Sequence, residues 1–163
     1  MKYAVIYLSK TGNTQELAKN IYVSLPGNDK TIIDAEKMSE LPEAEFYFVG
    51  FPIKNRVCGI EIMNILEQLG NVKVALFASC GLPANDKYKQ YIENAVSPWI
   101  NDETDYKGLY LCQGKASGKF RKILEVQTGY PTEDIDRIME TAAEHPDDDD
   151  IGKLYDFVDA MIR

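Results

Sequence analysis

The sequence predicts an α/β domain, a parallel β-sheet covered by helices on both faces. Three observations predict it. Strand-like and helix-like segments alternate along the chain. The strand-like segments are continuous apolar runs such as Tyr3-Ala4-Val5-Ile6-Tyr7-Leu8, the composition of strands buried on both sides. The 163 residues, 45% of them apolar, suffice for one packed core with little room for two, so residues 1–163 are expected to form a single domain.

The elements follow in order. The first strand, residues 3–8, hands over at residues 9–14 to a helix at 15–21. The second strand is Lys30-Thr31-Ile32-Ile33-Asp34 and the third spans residues 45–51. A helix at 59–69 places Ile62, Ile65, Leu66 and Leu69 on one face, and Gly70 ends it. The fourth strand covers residues 73–78, its helix 85–100, and the fifth strand 106–112. The tail is helical. A short piece at 117–126 carries Phe120, Ile123, Leu124 and Val126. A second starts at Pro131-Thr132-Glu133-Asp134, with the early acids a helix N-terminus favours, and the last follows Pro146.

Net charge is −8, which argues against duplex nucleic acid and anionic membrane as partners. No apolar run approaches the ~20 residues of a membrane helix. The start shows no signal-peptide pattern. Cys58, Cys80 and Cys112 are an odd number without C-x-x-C spacing, which points to free thiols and a cytoplasmic location.

The segment Ser9, Lys10, Thr11, Gly12, Asn13, Thr14 carries the chemistry. It offers three hydroxyls and the unpaired amides of a helix N-terminus, where the macrodipole favours an anion, and Gly12 permits close backbone approach. It suits a phosphate monoester held without a metal. The alternatives fit poorly: a Walker A loop needs G-x-x-x-x-G-K-[S/T], a dinucleotide loop needs G-x-G-x-x-G, and a phosphatase loop needs a cysteine. The plain reading is a hydroxyl-capped turn.

A phosphate loop after strand one, five strands and alternating helices describe the flavodoxin pattern, and the chain resembles flavodoxins. The S-x-T-G-N-T stretch carries the resemblance, which covers residues 1–113 by element order plus the final helix. It implies a flavodoxin-like three-layer sandwich with a five-stranded parallel sheet of order 2-1-3-4-5. It also implies FMN at the switch point between strands one and three, an arrangement of which flavodoxin is itself a standard example.

The resemblance implies three loops at the cofactor. The first grips the phosphate. The second, after strand three, flanks one ring face with Pro52 and Ile53, and its Lys54, Asn55 and Gly59 lie near the flavin N5 edge. Asn55 or Gly59 would supply a positive φ there. The third, after strand four, runs through Ser79, Cys80, Gly81 and Leu82 to Asp86 and covers the other face.

The chain departs from the family in three places. Between Ser79 and Asp86 it has no aromatic to stack on the ring, leaving Leu82, Pro83 or a folded-back Tyr88 as candidates, while Trp99 is expected in the core. Lys54 and Arg56 replace the acids of many flavodoxin loops, and positive charge there would stabilise anionic flavin and raise its potential, unless both side chains point to solvent. Residues 114–130 form an insert with Lys115, Lys119, Arg121 and Lys122, either a docking surface, a lid or an ordinary surface helix.

Cys80 and Cys112 are expected near one another at the flavin edge, as a thiol pair or as small packing residues. His145 has no spaced partner in sequence, and Asp147 to Asp150 read as helix-dipole and N-cap residues, so no metal site is expected. No general base is evident in the loops, and no catalytic residue is assigned. The resemblance therefore implies an FMN-binding electron carrier, a monomer, with a reductase and an acceptor enzyme as redox partners. Two other readings stay open: a flavodoxin-like FMN oxidoreductase acting on a quinone or porphyrinogen, and a binding module that has lost FMN.

Overall fold

In a computed structural model, which describes residues 1–127 and 129–163, a five-stranded parallel sheet runs in the order β2-β1-β3-β4-β5. The strands are β1 (Tyr3–Tyr7), β2 (Lys30–Asp34), β3 (Phe46–Pro52), β4 (Lys73–Cys80) and β5 (Asp105–Gln113). The helices are α1 (Asn13–Ser24), α2 (Ile60–Gln68), α3 (Asp86–Val96), α4 (Gly118–Gln127), α5 (Thr132–Ala143) and α6 (Asp148–Ile162). No long helix joins β2 to β3; a short 3-10 turn at Ala35–Lys37 serves instead.

Two apolar layers sandwich the sheet, and alternate residues of each strand feed them. Val49, Phe51, Leu76 and Ala78 pack with Ile62 and Leu66 of α2 and Ile92 of α3. Phe48, Ala75 and Phe77 pack with Leu17 and Ile21 of α1 and Leu154 and Val158 of α6. Phe48, Phe51 and Phe77 are fully buried, each contributing about 1.5–3 kcal/mol of transfer free energy. Their two-sided burial explains why β1, β3 and β4 read as unbroken apolar runs.

Two local features escape the strand pattern. The helix after β4 stops at Val96 and passes into a 3-10 turn, Ser97–Trp99, because Pro98 has no amide to donate and restricts the residue before it. Trp99 is accordingly half-buried at the N-terminal edge of the sheet, not in the core. In β5, Val74 pairs Tyr106 while Ala75 pairs Gly108, a bulge with Gly108 at φ 139. The extra residue inverts the facing of β5, so Tyr106 packs with the α2 layer and Tyr110 with the α6 layer.

The capping residues follow the expected chemistry at α6. The Asp147 side chain accepts from the Asp150 amide and the Asp150 side chain accepts from the Asp147 amide. His145 does have partners: its Nδ1 lies 2.5 Å from Asp150 Oδ2 and 3.9 Å from Asp147 Oδ2. These three residues bring ligand-type atoms within 4.8 Å of one another, but the capping box and the His–Asp hydrogen bond already occupy them.

Candidate functional site

The handover from β1 to α1 places residues 9–12 at the C-terminal edge of the sheet. Gly12 sits at φ 94 and starts α1 without a side-chain cap, with nothing within 4 Å of where a Cβ would be. Ser9 Oγ turns inward and accepts from the amides of Gly12 and Gln15, each at 3.2 Å. A hydroxyl oxygen thus already satisfies donors that would serve an anion. The amides of Asn13 and Thr14, in the first turn, have no intrahelical acceptor. The side chain of Lys10 leaves the loop and pairs with Glu36, which raises the lysine pKa, so only its backbone shapes the loop.

Thr14 is buried, and its Oγ1 lies 2.8 Å from Ser79 Oγ, also buried, at the end of β4. This pair ties the first loop to the third. The second loop is tied in as well: the Ile53 amide donates to Ser79 O at 2.9 Å. Together these loops border a slot of about 120 Å³. Thr11 and Asn13 of the first loop, Pro52 and Ile53 of the second, and Ser79, Cys80 and Gly81 of the third line it.

The remaining expected residues lie around this slot, not in it. Lys54 and Val57 exchange backbone hydrogen bonds at 2.8 and 3.1 Å across a two-residue turn. Asn55 (φ 51) and Arg56 (φ 66) occupy it, both exposed. Asn55 has the positive φ expected of this loop; Gly59 does not, standing at φ −76 as the N-cap of α2. Asp86 opens α3 and lines a separate hollow with Leu109 and Phe157. Leu82, Pro83 and Tyr88 face a larger groove of about 540 Å³, shared with Tyr91, Tyr130 and Ile138. None of the three lines the slot, so none is placed as the missing stacking group. Burial pushes the Tyr88 hydroxyl pKa up, while the nearby Arg56 charge opposes this.

The insert, in which Thr128 lies outside the described residues, completes the slot. Lys115, Ala116, Ser117 and Phe120 line it. The sequence places this segment on the cofactor edge of the sheet and marks Lys115 and Phe120 in it, but only as part of a docking surface, a lid or a surface helix; Ala116 and Ser117 carry no signal there. Asn13 holds it: Nδ2 donates to Lys115 O at 2.9 Å, and Oδ1 accepts from the Lys115 amide at 3.2 Å. Gly114 packs so close that a Cβ there would fall 2.5 Å from Asn13 Cγ. Asn13 was legible as a phosphate-loop residue and Gly114 as the start of the insert, but their contact was not, because 101 positions separate them in sequence.

The cysteines are packing residues. All three are free and buried. Ser79 pairs with Cys112 and Cys80 with Gln113, so strand alternation sends the two thiols to opposite faces. Burial pushes Cys58 up to about 11 and Cys80 up to about 12, and raises Cys112 further from the thiolate range. An electron-exchanging thiol pair is not formed.

A family model for the flavodoxin domain matches residues 4–159. The chain belongs to the flavodoxin family. Among curated proteins it is 26% identical over 173 residues to the flavodoxin-like domain-containing protein BilS of Clostridioides difficile, covering 99% of this chain and 97% of that one. The fold is that of a flavodoxin from Streptococcus pneumonia TIGR4 (TM-score 0.59, 15% identity, 99% of this chain and 98% of that one). A flavoprotein from Lactobacillus acidophilus, solved in complex with FMN, shares the fold as well (TM-score 0.52, 14% identity, 68% of this chain and 92% of that one). No helix among the described residues of this flavodoxin-family chain is long and apolar enough to cross a membrane.

Proposed function

We propose that this chain is an FMN-binding electron-transfer protein that works between a reductase and an acceptor enzyme. The observation that carries the reading is the joining of the loop at residues 9–14 to the slot through Thr14 and Ser79. A hydroxyl-rich helix N-terminus and an apolar-walled slot thereby form one continuous site at the strand ends where this fold takes a ligand.

The donor set fits the phosphate of FMN. Thr11 and Ser9 present hydroxyls, and Asn13 and Thr14 present first-turn amides. The Thr14–Ser79 pair, having two hydroxyl hydrogens and one mutual bond, keeps one hydrogen to donate. Gly12 leaves open the space a side chain would fill. Pro52 and Ile53 would hold the ring on its β3 side and keep water from that face. When bound, FMN supplies the electron chemistry. The residues around it supply binding and charge. Exposed Lys54, Arg56, Lys115 and Lys119 stand on segments bordering the slot, a basic rim on a chain of net charge −8. That rim favours a partner with an acidic docking surface.

The groove beside Leu82 and Tyr88 supports a second reading, an FMN oxidoreductase with an organic substrate such as a quinone. Steady-state assay of the FMN-loaded protein separates the two. A carrier passes electrons to a protein acceptor and turns over quinones with reduced nicotinamide no faster than free FMN. An oxidoreductase shows saturable turnover of the small molecule.

A further inference from the structure

We infer that Phe120, from the helix after β5, is the aromatic group that covers the flavin on the β4 side, in place of an aromatic in the loop after β4. The inference rests on the FMN reading above. Loop residues 79–86 contain no aromatic, and Gly81 at the slot has no side chain at all. Phe120 fills that space. A Cβ built on Gly81 would lie 2.4, 2.6 and 2.8 Å from three atoms of the Phe120 ring. Only glycine admits the ring here, so the two residues act as a pair: one gives up its side chain and the other delivers a ring from a different element.

The ring is not loosely placed. Asn13 fastens the start of its segment by two hydrogen bonds to Lys115, and Gly114 packs directly on Asn13. Arg121, next to Phe120, bonds Glu125 at 3.0 Å and Asp136 of α5 at 2.6 Å, fixing α4 to the helix behind it. The residue that anchors the insert also stands in the phosphate loop, so phosphate grip and ring cover are mechanically connected.

The slot, about 120 Å³, is smaller than the ~300 Å³ at which small-molecule pockets begin. Pro52 and Ile53, from the loop after β3, line the same slot as Phe120. A planar ring entering a slot this small must displace Phe120 outward from Gly81, and then has an aromatic face against it. Offset aromatic stacking is worth enough to change affinity by about three- to tenfold.

The test is titration of the full chain with FMN, read by flavin fluorescence and visible absorbance, for wild type, Phe120→Tyr, Phe120→Leu and Phe120→Met. Wild type and Phe120→Tyr are expected to bind alike and quench strongly. Phe120→Leu, which keeps apolar bulk, is expected to bind about three- to tenfold more weakly with a smaller quench and an altered spectrum. If wild type and Phe120→Leu bind with equal affinity and identical spectra, Phe120 is only a packing residue and the inference is overturned. If wild type binds no FMN, the FMN reading itself fails instead. Should Phe120→Leu not fold, Phe120→Met, which also keeps apolar bulk without a ring, carries the same comparison and the same expected loss of about three- to tenfold.

Discussion

Thr14 and Ser79 share a buried hydrogen bond, 2.8 Å between hydroxyl oxygens, that spans the end of β3 and joins the loop after β1 to the loop after β4. Both residues are buried, Ser79 lining the slot. Thr14→Val or Ser79→Ala alone strands the other group and should cost about 1–3 kcal/mol in urea unfolding. The double variant should cost less than the sum of the two, because it removes both partners. Simple additivity would show that the bond is not made in solution.

Asn13 reaches the insert from the phosphate loop. Asn13→Ala removes both hydrogen bonds to Lys115 and should speed amide exchange at residues 115–120 while leaving β1 and β3 protected. Gly114→Ala should reproduce this by crowding Asn13. Unchanged exchange in both variants would detach the insert from the loop.

His145 and Asp150 give the chain a pH signature. The Asp150 hydrogen bond, with the charges of Asp150, Asp147 and Glu144, holds the His145 pKa above its ordinary 6.5, against the opposing effect of burial. A raised folded pKa means that the contribution is full below about 6.5 and lost as pH rises through the raised value. Urea midpoints should therefore fall from pH 6 to pH 9, and His145→Gln should flatten that fall. A variant with the same slope as wild type would contradict the assignment.

Cys58, Cys80 and Cys112 should resist a thiol reagent at pH 8 in the native protein, since burial holds all three above their ordinary value. Modification should track unfolding. Rapid labelling of one thiol would show a strand end that opens.

The sheet was legible in the sequence because β1, β3 and β4 are buried on both faces, and unbroken apolar runs follow from that. The phosphate loop was legible because its residues are contiguous. What could not be read depends on contacts between distant positions. Gly81 looks like a turn glycine until Phe120 is placed on it. The β5 bulge at Gly108 leaves no hydrophobic mark, yet it decides which face receives Cys112. Tyr88 had the right composition for a ring contact but turns to the groove beside α5.

The central claim is that residues 9–14 grip the phosphate of FMN. Comparing the affinity of FMN with that of riboflavin, which has the ring but no phosphate, tests it most directly. Two hydrogen bonds to a charged phosphate, at roughly 1.5–3 kcal/mol each, predict that FMN binds at least about 100-fold more tightly. Equal affinity for the two, or no binding of either, would contradict it.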